Sequence, residues 1–399
     1  MLQTLKNYYH LLQAVQAVRQ YHNPGQNLTV IGITGTDGKT TTSHLVYHLL
    51  GQTGHKTALI STIAAYIGDG ELDTGFHVST PSSKALQSYL AKAKKEGVVY
   101  VVLEVTSHAL DQYRVYGIPF TVGVLTNISR EHLDYHQTME RYMQAKAKLL
   151  LSAQTAIINR DDSSYDFMKK ILAQKSVLTY GLHHPADVTP RTIPFRTNLL
   201  GEFNQYNILA ALSVCKALNI DLQQATKALS TFQLPEGRVD VVYDNDFKVI
   251  IDFAHTPNGI KNILKSIRKD MKKGKIIHVF GSAGKRDKGK RPLMGEISHQ
   301  LADRIILTSE DPRDESPESI AEDIMSGMPA DKNDVRVITD RQDAITEAVC
   351  LADKNDVVVI TGKGHEKSIN KGHGEEPWSD HEAVVKGLEQ RAKGKGRYE

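Results

Sequence analysis

Cysteine is nearly absent from this 399-residue chain: there are two, Cys215 and Cys350, which imply neither a disulfide framework nor a zinc site. Both sit in helix-like apolar patterns, where a lone cysteine is expected as a small buried hydrophobe. No apolar run reaches membrane-spanning length and no signal peptide is evident, so a cytoplasmic, reducing location is the default expectation. Charge of one sign is scarce as well. Forty-nine Lys and Arg against 46 Asp and Glu leave a formal charge of +3, which gives no reason to expect nucleic acid. The basic run Lys393–Arg397 reads as a solvated tail. Internal repeats are missing, and so is low-complexity sequence beyond that tail. What remains is an ordinary globular composition, 40% apolar and 24% charged, with length enough for two or three domains.

The chain is organised around Val30-Ile-Gly-Ile-Thr-Gly-Thr-Asp-Gly-Lys-Thr-Thr-Thr42. The apolar run Leu28 to Ile33 predicts a buried strand. A turn holding Gly35 and Gly38 comes next, then Lys39, Thr40 and Thr41, then Leu45, Val46, Leu49 and Leu50 at helical spacing. Strand, glycine turn, Lys-Thr and helix make a phosphate cradle. Glycines admit the phosphates to backbone N–H groups, Lys39 reaches the outer phosphates, a Thr hydroxyl can hold Mg²⁺, and the helix N-terminus adds its dipole. The strict pattern G-x-x-x-x-G-K-[ST] is not met, because Ile33 stands where its first Gly belongs. A plain tight turn before a surface lysine is the bland alternative, but the four local signals agree with one another.

Residues 1–27 carry Leu5, Tyr8, Leu12, Val15 and Val18 at spacings of three and four. That predicts an amphipathic helix, closed by Asn23-Pro24-Gly25 and packed on the domain C-terminal to it, with a membrane-surface helix as the alternative. From 28 to about 160, strands are expected at Leu28–Thr34, Thr57–Thr62, Val98–Val105, Val122–Ile128 and Ala156–Asn159, with helical segments between, one of them Ser83–Lys94. Continuous apolar strands of this kind argue for a parallel sheet covered on both faces. A polar segment with Pro185, Pro190 and Pro194 leads to helices at Gln205–Leu218 and Leu222–Ser230. Leu234-Pro-Glu-Gly237 reads as a linker. A second alternating series, Val249–Phe253, Ile276–Phe280, Arg304–Thr308, Val335–Ile338 and Val357–Thr361, predicts a second doubly wound domain. The fold class is therefore α/β, divided as a helix over 1–27, a phosphate-loop domain with a mostly parallel sheet over 28–236, and a second α/β domain over 237–399.

Sites in open parallel sheets lie beyond the C-terminal strand ends, and the polar clusters fall there. One strand ends in Glu104-Val-Thr-Ser-His-Ala-Leu110, the next in Thr126-Asn-Ile-Ser-Arg-Glu-His-Leu-Asp-Tyr-His136. Glu104, one strand from the phosphate loop, is well placed to bind Mg²⁺ directly or through water. His132, Asp134 and His136 are further candidates, although any one of them alone would read as a hydrogen-bonded structural residue.

From residue 28 onward the chain resembles the ATP-dependent Mur ligases, most closely the MurE type, the UDP-MurNAc-tripeptide synthetases. The resemblance rests on motifs in order: Gly32–Thr41, Ser79-Thr80-Pro81, Glu104–Arg114, Thr126–His136, Ala145-Lys146-Ala147-Lys148, Asn204–Asn207, Gly237-Arg238, Asp252–Pro257, Phe280–Pro292, Asp311-Pro312-Arg313 and Gly362–Glu366. It implies a phosphate-loop domain followed by a Rossmann-like domain, and ATP with two Mg²⁺ ions. Gly35, Thr36, Asp37, Gly38, Lys39, Thr40 and Thr41 would serve the ATP phosphates. Asn207, Arg238, Asp252 and His255 match positions around the rest of ATP. Thr40, Glu104, His132 and Lys146 match metal-site positions, Lys146 being the lysine that CO₂ carbamylates. That change turns a cation into an anionic oxygen ligand suited to a second Mg²⁺; without the motif, Lys146 would read as one more solvated helix lysine. Ser79, Thr80, Thr106 and Arg114 match positions that hold the nucleotide-linked muramoyl peptide.

The resemblance also implies the reaction. ATP would phosphorylate a peptidyl carboxylate, and the amine of a diamino acid would attack the acyl phosphate. Lys39 and Mg²⁺ would neutralise charge, and two domains joined near Gly237 would close over the substrates. In family members that use meso-diaminopimelate, an Asp-Asn-Pro-Arg motif supplies an Arg for the distal carboxylate. Here Glu310-Asp311-Pro312-Arg313 keeps the Arg and changes both residues before the Pro, adding a negative charge at Asp311. Gly362 and Glu366 match further amino-acid contacts, Glu366 suiting the distal ammonium. Diaminopimelate is accordingly expected over lysine. Lys285, Arg286, Lys288, Lys290 and Arg291 form a basic loop, read either as solvated or as facing an anion.

Thr36-Asp37-Gly38 replaces the family's Thr-Asn-Gly, a tolerable change in a loop that binds through its backbone. Family members carry a UDP-binding domain before the phosphate loop, whereas only about one helix precedes Leu28. Three readings stay open: a looser hold on the nucleotide end, a partner chain that supplies the contact, or an acceptor without UDP. Otherwise the expected partners are a UDP-MurNAc-dipeptide and a diamino acid, on a monomer with no membrane span. The rival readings are a superfamily ligase of folylpolyglutamate or cyanophycin type, and a non-catalytic nucleotide-binding subunit.

Overall fold

The structure, a computed structural model, describes residues 2–68, 70–72, 80–329 and 334–395. Ser79 and the chain beyond 395 lie outside the described residues. Contacts gather the chain into two units. Residues to Ser129, His136–Leu199 and Phe203–Gln233 form the first; Arg130–Tyr135, Leu200–Glu202 and Leu234 onward form the second.

The first unit is built on β1 (Thr29–Thr34), β2 (Thr57–Ile60), β3 (Ala65–Ile67), β4 (Gly70–Leu72), β5 (Tyr100–Glu104), β6 (Phe120–Leu125), β7 (Thr155–Asn159) and β8 (Ser176–Tyr180). They form one sheet in the order β4-β3-β2-β5-β1-β6-β7-β8. All pairings are parallel except the β2-β3-β4 edge, which is antiparallel. The helices along this part of the chain are α1 (Leu2–Gln20), α2 (Lys39–Gln52), α3 (Ser83–Lys95), α4 (Ser107–Asp111), α5 (Leu133–His136), α6 (Met139–Ser152), α7 (Tyr165–Ile171), α8 (Glu202–Ala217) and α9 (Leu222–Ala228). Alternate residues of β1 feed opposite faces. Ile31 and Ile33 join a core with Leu45 and Leu49 of α2 and Leu209 and Leu212 of α8. Val30 joins another with Leu86 and Leu90 of α3 and Leu149 of α6. Gly32 stands where α6 comes close: a Cβ there would lie 2.6 Å from Leu149 Cδ1 and 2.7 Å from the Phe120 ring.

The N-terminal helix forms and packs on α3, but not on its largest side chains. Ala14 and Ala17 are buried, while Tyr8 and Leu12 are 65% and 56% exposed. Small residues let α1 approach closely, and that geometry overrides the apolar stripe. Asn7 Nδ2 donates to Asp111 Oδ2 at 2.9 Å, and Val18 fills the space beside Gly117, where a Cβ would be 2.7 Å from its methyl.

The second unit carries β9 (Asp240–Asp244), β10 (Lys248–Asp252), β11 (Ile276–Phe280), β12 (Arg304–Leu307), β13 (Val335–Val337) and β14 (Val357–Thr361), followed by the hairpin β15 (Ser368–Asn370) and β16 (Glu375–Pro377). The main sheet runs β13-β12-β11-β14-β10-β9, parallel except for the antiparallel edge strand β9. Its helices are α10 (Pro257–Asp270), α11 (Arg291–Leu301), α12 (Pro317–Met325), α13 (Arg341–Leu351) and α14 (Asp380–Lys395). Arg341 at the start of α13 meets Asp380 at the start of α14 through two bonds of 2.8 Å, both side chains buried.

Cys215 is buried on α8, as expected, but Cys350 is exposed near the end of α13. The correction has a simple cause: position 350 falls on the polar side of a helix whose buried side carries Ala344, Ile345, Ala348 and Val349. A thiol-reactive dye should therefore label one cysteine in the native protein and two in denaturant, with mass mapping assigning the native label to Cys350. Equal native labelling of Cys215 would contradict this packing.

Candidate active site

In the first unit, the site grows from the C-terminal ends of β1, β5 and β6. Beyond Thr34 the chain turns through Gly35–Gly38 and enters α2 at Lys39. Gly38 holds φ 79°, and a Cβ there would lie 2.4 Å from Asn207 Oδ1. Asn207 Oδ1 also accepts from Thr42 Oγ1 at 3.2 Å, and its Nδ2 donates to Asn204 Oδ1 at 3.1 Å. Its amide thus braces the loop from behind, a task separate from the nucleotide contact expected of it. No side chain among the described residues caps α2, which leaves its first N–H groups to an anion. Asn127, not singled out from the sequence, pins the other side. Its Oδ1 accepts from Asp37 N at 3.0 Å, and its Nδ2 donates to Asp37 O at 3.0 Å. Thr126 Oγ1 adds a bond to Asp37 O at 2.7 Å. Thr41 is buried on the first turn of α2, and Lys39 Nζ folds back on Thr36 O at 2.9 Å.

Parallel pairing sets Ile33 opposite Glu104. Thr40 Oγ1 then donates to Glu104 Oε2 at 3.0 Å, and Thr62 N approaches the same oxygen at 3.3 Å. A buried hydroxyl beside a buried carboxylate offers hard oxygen donors to Mg²⁺, which prefers few protein ligands with phosphate and water completing its shell. Lys146 is also buried. Its Nζ lies 2.5 Å from Gly35 O and 4.5 Å from the Tyr142 ring centroid, and Tyr142 OH meets Thr36 Oγ1 at 3.1 Å. Thr80 Oγ1 lies 3.1 Å from Glu104 O and 3.3 Å from Thr106 Oγ1. Arg114 Nη1 donates to Thr80 O at 2.8 Å. Lys39, Thr40, Glu104, Lys146, Thr80, Thr106 and Arg114 are thus brought into one bonded neighbourhood.

His136 belongs there only as support. It is buried, Nε2 lies 3.0 Å from Ser107 Oγ, and burial, the largest influence, pushes its pKa down to about 4. Asp134 is exposed. His132 falls on the segment 130–135 that clusters with the second unit, at φ 57°. Its neighbour Glu131 forms a buried ion pair with Lys290 at 3.1 Å. The Thr126–His136 motif is therefore divided between the units.

In the second unit, Asp252 accepts from Val239 N and Ala254 N, both at 2.8 Å. Arg238 stacks on Phe253 at 4.3 Å, and His255 Nδ1 lies 2.9 Å from Phe253 O. A cluster of buried charge lies beyond them. Lys363, quoted within its motif but given no role from sequence, is fully buried; its Nζ reaches Asp311 Oδ1 at 2.8 Å and Glu366 Oε2 at 2.6 Å. Burial works against its charge, but the two carboxylates outweigh burial and raise its pKa. Arg313, at φ 57°, donates from Nη1 to Gly284 O at 2.8 Å. Glu310 is buried beside Gly362, where a Cβ would lie 2.8 Å from Glu310 Oε2. Burial pushes the Glu310 carboxyl up to about 7. The basic loop is mixed: Lys285 and Lys288 are exposed and pair with Asp314 and Glu315, whereas Lys290 and Arg291 are buried against Glu131 and against Glu315 and Asp323.

A family model described as the Mur ligase middle domain matches residues 33–215, and one described as the Mur ligase, glutamate ligase domain matches residues 237–364. The UDP-N-acetylmuramoyl-L-alanyl-D-glutamate–2,6-diaminopimelate ligase of Aquifex aeolicus is 41% identical over 382 residues, 91% of this chain and 78% of that protein. A solved structure of a ligase with the same name is 32% identical, covers 92% of this chain and 79% of its own, and gives a TM-score of 0.60. Mycobacterium tuberculosis folylpolyglutamate synthase, at 18% identity, covers 89% of this chain and 93% of its own with a TM-score of 0.68. The more distant sequence superposes better, so the fold alone does not select an acceptor.

The Glu310 shift carries a sign. A carboxyl raised from an ordinary 4.5 to about 7 binds its proton more tightly folded than unfolded. Its stabilising contribution is complete below about 4.5 and is lost as pH rises through about 7. Glu310→Gln keeps a neutral side chain, so the thermal midpoint of the variant relative to wild type should be higher at pH 8 than at pH 5. A pH-independent difference between the two would remove the assignment.

Proposed function

The chain belongs to the Mur ligase family and is an ATP-dependent ligase that forms amide bonds; from that premise we propose that it adds meso-diaminopimelate to UDP-MurNAc-L-Ala-D-Glu, a cytoplasmic step of peptidoglycan precursor synthesis. The observation that carries the reading is the Thr40–Glu104 contact at 3.0 Å beside an uncapped helix start. In this reading the acceptor's carboxylate oxygen attacks the γ-phosphorus of ATP, giving an acyl phosphate and ADP. The neutral amine of the amino acid then attacks the acyl carbon, and the tetrahedral intermediate expels phosphate and loses a proton. Lys39 and the α2 N-terminus hold the phosphates and neutralise charge that grows on them. Mur ligases use ATP and Mg²⁺; here Thr40 and Glu104 would hold the ion, which supplies further charge neutralisation on the phosphates.

Arg313 supports the choice of amino acid. Its Nη1 rests on Gly284 O, which orients the guanidinium for a second carboxylate, a group that diaminopimelate has and lysine lacks. The extra negative charge at Asp311 is offset by Lys363 at 2.8 Å. Lys146 is proposed to carry a CO₂-derived carbamate: the neutral amine attacks CO₂, an N–C bond forms and one proton leaves.

Phosphate release with ATP, Mg²⁺ and UDP-MurNAc-L-Ala-D-Glu should require meso-diaminopimelate and fail with L-lysine or with no amino acid. Equal turnover with lysine would remove the Arg313 argument, and silence with every amino acid would overturn the assignment. Lys146→Ala should abolish turnover, with partial recovery in Lys146→Glu or on adding short carboxylates. Near-normal activity of the Ala variant would exclude the carbamate role.

A further inference from the structure

After β14 and the Gly362–Glu366 motif, the second unit carries the hairpin β15–β16, which the reaction described above does not use. It forms a separate two-stranded sheet. A ribbon of this size is marginal in water on its own, so its order comes from its neighbours. Ser368 and Ile369 are buried. Trp378 N donates to Lys367 O at 3.0 Å, and Trp378 Nε1 to Asp380 Oδ1 at 2.8 Å, the carboxylate that also holds Arg341. Across the ribbon, Glu375 accepts from Ser368 Oγ at 2.8 Å and from Asn370 Nδ2 at 3.1 Å.

The hairpin lies on the loop after β12 that carries Asp311 and Arg313. Asn370 uses both of its backbone groups there: its N donates to Asp311 Oδ1 at 3.0 Å, and its O accepts from Arg313 N at 3.0 Å. Gly372, in the turn, comes closer still. It holds φ 99°, and a Cβ there would lie 2.6 Å from Arg313 O and 3.2 Å from Arg313 C. Gly374, in the same turn, holds φ 117°, yet a Cβ there would meet nothing within 4 Å. Both positions need glycine for their backbone conformation, but only Gly372 also needs it for close approach. Arg313 itself stands at φ 57°, a conformation that a non-glycine residue holds where its surroundings impose it. The hairpin supplies two of those constraints, the Asn370 carbonyl and the Gly372 backbone; Gly284 O, at 2.8 Å from Nη1, supplies a third.

We propose that the β15–β16 hairpin is a positioning element for amino-acid selection: Asn370 and Gly372 fix the Arg313 backbone, and through it the direction in which the guanidinium meets a distal carboxylate. The inference rests on the role given to Arg313 above. A guanidinium reads a carboxylate through paired N–H···O bonds in a fixed fork, so a small displacement of its backbone weakens the contact. Asn370 and Gly372 act through Arg313 alone. Their effect is expressed in the KM for the amino acid, because the distal carboxylate is bound equally in ground and transition states.

The test is steady-state kinetics of the full chain with meso-diaminopimelate varied at saturating ATP, Mg²⁺ and UDP-MurNAc-L-Ala-D-Glu. Gly372→Ala should raise the KM for meso-diaminopimelate about tenfold, the loss of one charge-assisted contact, with kcat and the KM values for ATP and acceptor unchanged. Gly374→Ala imposes similar backbone strain on the same turn without touching Arg313, and should leave the amino-acid KM at the wild-type value. Arg313→Ala should raise that KM by itself, and adding Gly372→Ala to it should raise it no further. Asn370→Ala removes the bonds to Gly372 N and Glu375 and should raise the KM about threefold; it decides the matter if Gly372→Ala does not fold. Equal KM values in the two glycine variants, an effect of Gly372→Ala that persists without Arg313, or a wild-type KM in Asn370→Ala overturns the proposal and leaves the role of Arg313 standing. A wild-type amino-acid KM in Arg313→Ala removes that role and this inference with it.

Discussion

Glu104 accepts from Thr40 because β1 and β5 run side by side in the same direction, with Ile33 opposite Glu104. Nearly every feature of the first site depends on that pairing. In a parallel pair both C-terminal ends emerge at one edge, so the phosphate loop after β1 and the polar segment after β5 share a floor. β6 on the other side of β1 brings Thr126 and Asn127 to the same edge, where they hold Asp37. The carboxylate is buried to 1% exposure, an expensive position that two donors at 3.0 and 3.3 Å make tolerable. A slip of one residue in the register would turn Glu104 to the opposite face and leave the Thr40 hydroxyl without it.

The second unit solves a different electrostatic problem. Three carboxylates, Glu310, Asp311 and Glu366, are gathered near one fully buried ammonium, Lys363. One cation serves two of them directly. Burial pushes the third, Glu310, up to about 7, against the pull of Lys290 and Lys363, and buried Arg341 couples to both Glu310 and Asp311. A cluster balanced this closely leaves Arg313 as a positive group whose guanidinium is tied by one N–H to Gly284 O.

Elements whose interior is continuously apolar were legible in the sequence: β1, β5, β11 and β14 each read as a run because both faces are covered. β3, β4, β8, β9, β15 and β16 were not. They lie at or next to sheet edges or in a separate hairpin, and all but β8 pair antiparallel, so polar residues suffice there and pattern disappears. The parts of the site that come directly after a strand end, such as the phosphate loop and Glu104, could be placed by topology alone. Lys363 could not, because a lysine between two glycines carries no sign of being buried until Asp311 arrives from elsewhere in the chain. The face of α1 was misjudged for a related reason. Helical spacing identifies which residues share a stripe, but Ala14 and Ala17 win the interface on closeness of approach, a property of the partner helix that the stripe does not encode.

Lys146 and Lys363 are both buried, and they differ in what surrounds the nitrogen. Lys363 meets two carboxylates, at 2.8 and 2.6 Å. Lys146 meets a backbone carbonyl at 2.5 Å and the face of Tyr142 at 4.5 Å. Loss of the positive charge at Lys363 would strand two buried anions. Carbamylation requires the neutral amine as the nucleophile, and it keeps one N–H that can still donate to Gly35 O. Lys146 belongs to α6 and reaches the phosphate loop through Gly35 O, so the carbamate proposed on it would lie against that loop.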